Sequence, residues 1–271
     1  MRSRNADWPV HLILIPVSIL MLVPFYWVLK TSITGENIFA YPPSILPSDP
    51  HLFNYVEAWY SIPFATYFIN SILVVFLAIV ANILIDAAAG YALTFHFRGK
   101  RLIMLIYLSC MMIPFQATII PAYLITVNLG LVNTLLGIAL PHFSHIILIF
   151  IFKASFDALP RSLPEAARMD GVPEWRILLQ VMLPLARPAI ATSVVLTFIW
   201  SWNDFLWPLI VVRDDDVSTL PLGLARFLSY FEDTTAALYA FVVMALVPGI
   251  LVFFLAQRQF IEGLTAGARK G

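Results

Sequence analysis

The chain has 271 residues, of which 61% are hydrophobic and only 12% are charged. Soluble domains are nearer 45–50% apolar and about 25% charged, so this composition indicates a membrane protein. The formal net charge is zero and no basic stripe occurs, which argues against a nucleic-acid-binding protein. The single cysteine, Cys110, excludes an intrachain disulfide framework.

Apolar runs of about 20 residues are long enough to cross a bilayer, and the sequence contains six of them. The predicted spans are 10–29, 68–93, 102–127, 134–152, 189–212 and 238–256. The first run is too long for the apolar region of a signal peptide and contains Pro16 and Pro24, so we interpret it as a span. Every span except the second contains proline, which predicts kinked helices.

Basic residues are concentrated on one side of the predicted membrane. The two termini, the turn before the third span and the segment before the fifth span carry every Lys and Arg except Lys30, Arg213 and Arg226. Because cytoplasmic loops carry the excess of basic residues, both termini are predicted to be cytoplasmic. The acidic run 214–216 then lies outside, either as a solvated loop or as a contact for another protein.

A compact charged segment, residues 162–184, separates the fourth and fifth spans. Ser162 and Glu165 have the spacing of a capping box at the start of a short helix, and Gly171 is a natural stop. Pro173 is predicted to begin a second helix, which Pro184 ends. Alanines framed by charges suit docking into a protein groove. A helix lying on the lipid surface is the alternative.

The spacing within this segment is specific. Glu165-Ala166-Ala167, Gly171 and Val181-Met182-Leu183-Pro184 follow the pattern EAA-x3-G-x9-I-x-L-P, with valine in place of isoleucine. The pattern resembles the EAA loop of binding-protein-dependent ABC importer permeases, which docks into a cleft on a cytoplasmic ATPase subunit. The resemblance implies that five residues couple this chain to an ATPase: Glu165, Ala166, Ala167, Asp170 and Gly171.

Two further stretches resemble the carbohydrate branch of this family, similar to the smaller membrane subunit of the maltose transporter. They are WNDFLWPL at 202–209 and QRQFIEGLTAGARKG at 257–271. In the maltose system the C-terminal tail reaches between the ATPase subunits. The resemblance implies such contacts for Gly263, Leu264, Thr265 and Gly267.

The resemblance implies an all-α polytopic membrane fold with six transmembrane helices, both termini cytoplasmic, and a cytoplasmic coupling helix pair between helices 4 and 5. It covers 1–271 as one transmembrane domain, with a core at about 68–260, a coupling loop at 159–188 and a tail at 257–271. It further implies a bacterial or archaeal inner membrane, with contacts to lipid. The implied partners are a second permease subunit in a heterodimer, two ATPase subunits and an extracytoplasmic solute-binding protein.

The sequence contains no recognisable motif for nucleotide binding or for hydrolysis. It has no G-x-x-x-x-G-K-[ST] loop to hold ATP phosphates and no hydrolase motif. We therefore expect a non-catalytic subunit without a cofactor of its own, with ATP and Mg bound by the partner ATPase. His142 and His145 have a spacing that suits a metal. Because no further obvious ligands lie nearby in the sequence, ordinary structural histidines are favoured and no metal site is expected.

Polar residues inside predicted spans are candidates for function. The candidate substrate pathway consists of Gln116, Trp202, Asn203, Asp204 and Phe205. Aromatic faces stack on sugar rings, while amides and carboxylates bind sugar hydroxyls. The alternative is packing against the partner permease or between helices. For Asp86, structural pairing is favoured over the pathway.

The expected cargo is a carbohydrate of di- or oligosaccharide size, carried into the cytoplasm by alternating access. The central spans lack basic residues, which favours a neutral sugar over an anionic solute. Glycerol-3-phosphate or another polar solute of the same family is the alternative. An ion-coupled secondary transporter using Asp86 or Asp204 is the competing class, but the six spans have no evident repeat. A membrane assembly factor without cargo is a third class.

Overall fold

The computed structural model describes residues 8–35, 41–42, 44–47, 49–230 and 235–268. Within these residues the chain is helical, and the β-type pairing found there is one antiparallel bridge between Thr34 and Pro50. The helices in chain order are α1 (Trp8–Ser32), α2 (Phe53–Ser61), α3 (Phe64–Ala92), α4 (Lys100–Met111), α5 (Phe115–Asn128), α6 (Leu135–Ala139), α7 (Ile146–Asp157), α8 (Ser162–Met169), α9 (Glu174–Arg176), α10 (Leu183–Leu185), α11 (Arg187–Trp202), α12 (Leu206–Val211), α13 (Leu220–Tyr230) and α14 (Thr235–Ala268). A π-helical segment, Ile177–Met182, joins α9 to α10.

Three apolar helices of the described part of the chain are each long enough to cross a bilayer. They are Val10–Ser32, Phe64–Ala92 and Ala236–Leu255. Three further candidate spans are pairs of helices that bend at a short break: Lys100–Met111 with Phe115–Asn128, Leu135–His142 with Ile146–Asp157, and Glu174–Leu185 with Arg187–Trp202. The predicted helical, polytopic membrane protein is confirmed. The count reaches six if each bent pair is one span, although Glu174–Leu185 of the third pair belongs to the charged segment predicted to lie between spans.

The predicted third span is wrong as a single kinked helix, because α4 and α5 meet at 101°. At the break the amide of Met112 turns back to the carbonyl of Ser109, at 3.1 Å. Pro114 follows at the N-cap position of α5 and has no amide hydrogen with which to continue the α-helical ladder. Proline therefore ends the helix here and sets a new direction.

The predicted fourth and fifth spans are also interrupted. Residues 134–152 correspond to α6, continued by a 3₁₀ turn at Leu140–His142, and to α7; the two parts are bent by 56° and separated by Phe143, Ser144 and His145. Residues 189–212 correspond to α11 and α12, with a break at 203–205. These breaks place polar side chains, and backbone amides and carbonyls without a partner in their own helix, within otherwise apolar segments.

The chain forms two compact units, and the first consists of Met1–Ala65 and Gly223–Val247. In this unit the Nδ2 of Asn54 donates to the carbonyls of Ser32 and Thr34, at 3.0 and 2.9 Å. Phe64 packs edge to face on Phe241, with ring centroids 5.1 Å apart. The contacts hold the last turn of α1 to α2, while the apolar length of α1 stays exposed.

The second unit consists of Thr66–Leu222 and Pro248–Gly271. Its larger core cluster joins α3, α7, the π-helical segment and the start of α11; Tyr91, Phe152, Phe156, Ile177 and Met182 belong to it. A second cluster joins α3, α6 and α12 around Trp207, whose indole Nε1 donates to the carbonyl of Gly137 at 2.9 Å. The segment between the fourth and fifth predicted spans is therefore packed into the core of this unit.

One end of α3 is bound to the loop that precedes α13. Asn70 donates from Nδ2 to the carbonyls of Asp216 and Ser218, at 2.8 and 2.9 Å, and the hydroxyl of Ser71 accepts from the amide of Leu220 at 2.8 Å. The backbone of the acidic loop is therefore held to α3 at this end.

Helices α3 and α7 approach each other most closely at Gly90. A Cβ at this position would lie 2.8 Å from the carbonyl oxygen of Ile149 and 2.9 Å from the amide nitrogen of Lys153. Gly90→Ala therefore forces two helix backbones apart, and we expect it to lower the free energy of unfolding by about 1–3 kcal/mol. The measurement is thermal unfolding of the purified protein in detergent.

The matched control is Gly249→Ala in α14. Its Cβ would meet Cε1 of Phe198 at 3.8 Å, an ordinary contact, and alanine is favoured over glycine in a helix interior. We expect this variant to be at least as stable as the wild type. Equal stability of the two variants would contradict the close approach of α3 to α7.

Candidate functional site

The charged segment predicted to dock on a partner begins with α8. The helix starts at Ser162 with Arg161 as its N-cap residue, and no side chain caps it. The predicted capping box is therefore wrong. The reason is that the turn begins one residue earlier, where the amides of Leu163 and Glu165 reach the carbonyls of Pro160 and Arg161, at 3.2 and 3.3 Å. Ser162 thus lies inside the first turn.

The end of α8 confirms Gly171 as the stop. The amide of Gly171 bonds to the carbonyl of Arg168 and that of Val172 to the carbonyl of Ala167, both at 3.0 Å. This is a Schellman motif, which requires a left-handed residue after the helix. Gly171 has φ of +75°, and no atom lies within 4 Å of a Cβ built there. Glycine is needed for the backbone conformation and not for space.

The second helix begins after Pro173, as predicted, but Pro184 does not end it. The segment runs from Glu174 to Leu185 and widens into a π-helix at Ile177–Met182. Pro184 lies in α10, and the helical segment ends one residue beyond it, because Ala186 is no longer helical. Ile177, Leu178 and Met182 are buried, whereas Trp175 is 58% exposed, because the wide turn rotates the face that meets the core.

The five predicted coupling residues lie together on α8 and its cap. Glu165, Ala166, Asp170 and Gly171 are exposed, and Ala167 is half-buried against the larger core cluster. Met169, which the sequence reasoning missed, is 89% exposed at the tip of the helix.

A cavity of about 170 Å³ lies beside α8. The last turns of α3 and α7 form its other walls, and the charged side chains that line it are Asp157, Arg161, Glu165 and Arg168. The acid of the EAA sequence therefore faces a recess within this unit. Both signs of charge are present in the recess, which suits a partner side chain that is itself charged.

An ion pair joins α8 to the helix that follows it. Arg168 donates from Nε to Oε1 of Glu174 at 2.5 Å and from Nη2 to Oε2 at 3.3 Å. These hydrogen bonds from Arg168 lower the pKa of the Glu174 carboxyl below its ordinary value. A carboxyl with a lowered pKa loses its negative charge only when the pH falls through that lower value. Glu174 is therefore ionised at neutral pH, and so is its pair with Arg168.

Three of the predicted pathway residues lie together at the break between α11 and α12. Asp204 shares a hydrogen bond with Nε2 of His142, at 2.8 Å, and its other oxygen accepts from the amide of Trp207 at 3.3 Å. Asn203 and Phe205 flank it and are exposed. The break is therefore a polar point that faces outward from this chain.

The other two predicted pathway residues lie elsewhere. Trp202 is only 7% exposed and stacks on Phe198, with ring centroids 5.2 Å apart. Gln116 is exposed in the first turn of α5, next to Phe115, whose ring meets Trp207 edge to face at 6.1 Å. The role of Trp202 in the substrate pathway stays a prediction, although its surroundings are those of a core residue.

Asp86 binds the break between α6 and α7. Its Oδ1 accepts from the hydroxyl of Ser144 at 2.6 Å, and its Oδ2 accepts from the amide of His145 at 3.1 Å. Asn82, one turn earlier, donates to the carbonyl of His142. These contacts give Asp86 a structural part. No group of three His, Cys, Asp or Glu side chains in the described ranges is placed to hold a metal ion.

The predicted tail contacts fall at the end of α14. Gly263, Leu264, Thr265 and Gly267 belong to its last turns, and residues 269–271 lie outside the described residues. Their contact with an ATPase stays a prediction.

Comparisons with known proteins agree with this architecture. Residues 87–264 match the family described as binding-protein-dependent transport system inner membrane component. The chain is 38% identical over 232 residues to the arabinooligosaccharides transport system permease protein AraQ of Halalkalibacterium halodurans, covering 85% of this chain and 82% of that protein. It is 34% identical to the diacetylchitobiose uptake system permease protein NgcG of Streptomyces coelicolor, covering 95% and 87%.

A further relative is the sn-glycerol-3-phosphate transport system permease protein UgpE of Brucella melitensis, at 32% identity over 94% of both chains. Among solved structures, a chain of a bacterial ABC transporter involved in the import of the acidic polysaccharide alginate matches with a TM-score of 0.82 and 25% identity, covering 96% of this chain and 99% of that one. The chain therefore belongs to the family of inner-membrane components of binding-protein-dependent transport systems, and it is an ABC transporter permease subunit.

Proposed function

We propose that this permease carries a neutral oligosaccharide into the cytoplasm of a bacterium or archaeon, as one half of a heterodimer with a second permease. Two ATPase subunits and an extracytoplasmic solute-binding protein complete the importer. The observation that carries the proposal is the EAA sequence on α8, in which Glu165 and Ala166 are exposed while Ala167 is half-buried against the larger core cluster. Such a segment has one face for a partner and one for the membrane helices.

The coupling helix α8 docks on an ATPase. ATP and Mg bind the ATPase and not this chain, which has no phosphate-binding loop. Docking on a cytoplasmic ATPase assigns α8, both termini and the turn before α4 to the cytoplasm, in agreement with the distribution of basic residues. The exposed Ala166 permits close backbone approach, and Glu165 and Asp170 supply charge at the rim.

The absence of basic residues from the spans and the solutes for which the relatives are named indicate the cargo. Residues 68–93, 102–127, 134–152 and 189–212 contain no Lys or Arg. A phosphate or carboxylate cargo favours cationic partners, whereas sugar hydroxyls are bound by amides, carboxylates and aromatic rings. Asn203, Asp204 and Phe205 supply these groups at the break between α11 and α12. Two of the relatives are named for arabinooligosaccharides and diacetylchitobiose.

Glycerol-3-phosphate is the second candidate cargo, because a relative that matches almost the whole chain is named for its transport. A partner permease that supplied the cations would make this cargo possible. The two candidates differ in charge, so a transport assay separates them.

We expect Gly171→Pro to abolish ATP-driven uptake without removing the complex. Proline cannot adopt φ of +75°, so the cap of α8 is lost and the docking face changes direction. Uptake of labelled solute into proteoliposomes that contain the four-subunit complex should fall by at least about tenfold, equivalent to about 1.4 kcal/mol. Glu165→Ala, which leaves the helix intact, should lower uptake in the same direction.

Gly130→Pro is the matched control. Gly130 has φ of +68° after α5 and forms the same motif, through the amides of Gly130 and Leu131. It lies at the opposite end of the membrane helices in the proposed topology, so ATP-driven uptake should persist. Nucleotide-independent uptake, or equal losses in the two variants, would contradict coupling through α8.

The cargo prediction concerns the purified wild-type importer with its binding protein. We expect ATP-dependent uptake of labelled arabino-oligosaccharide or diacetylchitobiose, and no competition by a hundredfold excess of glycerol-3-phosphate, because the central spans offer no cation. Uptake of glycerol-3-phosphate alone would transfer the assignment to the second candidate.

A further inference from the structure

Tyr91 lies in the last turn of α3 and is held as a core residue. Its side chain belongs to the larger core cluster, and the residue is only 5% exposed. The ring packs edge to face on Phe95 and on Phe156 of α7, with centroids 5.0 and 5.9 Å away. Because the ring is packed on two sides, its hydroxyl has a fixed position relative to α3 and α7.

That hydroxyl is bound to both helices of the coupling segment. It donates to Oε2 of Glu174 at 2.8 Å and accepts from Nη2 of Arg168 at 3.2 Å. Together with the ion pair between Arg168 and Glu174, these bonds close a ring of three side chains, which we call the Tyr91 clamp. Hydrogen bonds that involve charged groups are about twice as strong as neutral ones, and here both partners of the hydroxyl are charged.

Arg168 contacts the end of α3 a second time. Its guanidinium carbon lies 5.1 Å from the centroid of the Phe95 ring, over the ring face. This position gains from the attraction between a cation and an aromatic ring. The backbone of α8 packs on the π-helical segment. The side chain of Arg168 links α8 directly to α3, through the hydroxyl of Tyr91.

The end of α3 that bears the clamp moves with α7. Gly90 leaves no clearance between the two backbones, so a displacement of one helix displaces the other. Asp86 and Asn82, which precede Gly90 by about one and two turns of α3, bind the break between α6 and α7. His142 at this break in turn binds Asp204. A continuous series of contacts therefore runs from α8 to the polar break at 203–205.

We propose that Tyr91 is a positioning residue for transport, whose hydroxyl transmits the displacement of α8 to α3. The inference rests on the proposed function, because it needs an ATPase that moves α8. The clamp adds one hydroxyl, bonded to both helices of the coupling segment, to the apolar packing of this segment on α3, so loss of the hydroxyl weakens the link between ATP hydrolysis and movement in the membrane. Without the hydroxyl, α8 shifts relative to α3 while both stay folded.

The test uses Tyr91→Phe in the reconstituted importer, with ATP hydrolysis and solute uptake measured on the same proteoliposomes. Phenylalanine keeps the ring contacts and removes only the hydroxyl. We expect the ratio of ATP hydrolysed to solute transported to rise about tenfold, the change that loss of a hydrogen bond to a charged group produces in an equilibrium. A purely structural role lowers the amount of complex and both rates together, and leaves this ratio unchanged.

Glu174→Gln is the second variant. It keeps the size of the side chain but removes the charge that both Tyr91 and Arg168 bind, so the ratio should rise in the same direction. It decides the question if the Tyr91→Phe complex does not assemble. Tyr107→Phe is the control: its ring packs on Phe150 at 6.5 Å, and the described residues provide no hydrogen bond to its hydroxyl. Its ratio should equal that of the wild type.

The outcomes separate the clamp from the function on which it rests. If wild-type uptake needs ATP and both clamp variants keep the wild-type ratio, the clamp is overturned and the importer assignment stands. If wild-type uptake needs no ATP, the proposed function itself fails, and the inference fails with it.

Discussion

A break in a membrane helix leaves backbone amides and carbonyls that lipid cannot satisfy, and in the second unit these groups are met by polar side chains of α3. Asp86 accepts from the amide of His145, and Asn82 donates to the carbonyl of His142. Asn70 and Ser71 do the same for the loop before α13. Because an unsatisfied backbone group in the bilayer costs several kcal/mol, the broken helices depend on α3 for their geometry.

This arrangement makes α3 the common support of segments far apart in sequence. At one end it holds the acidic loop, in its middle it holds the break between α6 and α7, and at the other end it holds the coupling segment. Its packing at Gly90 ties it to α7 as well. A helix bound in this way at three levels fixes the positions of the elements bound to it relative to one another.

Much of this organisation could be predicted from residue types and spacing. Hydropathy located the apolar segments, since about 20 apolar residues are needed to cross the bilayer. The turn at Gly171 followed from the general need for a left-handed residue after a helix. Both features depend on local chemistry that a short stretch of sequence contains.

What could not be predicted depends on contacts between distant residues. Pro114 indicates a break in the third span, but neither the 101° between α4 and α5 nor the π-helical segment at Ile177–Met182 is specified by a local pattern. Trp202 belongs to a sequence motif together with Asp204, yet the end of α11 directs it towards Phe198. The partnership of His142 with Asp204 joins residues 62 positions apart, and only the folded chain brings them together.

Helix α1 differs from all of this, because no residue in its most apolar stretch is buried among the described residues. These residues therefore need the length and hydropathy of a membrane span and not a fitted shape. Exchange of one apolar residue for another along 10–29 should accumulate freely during evolution.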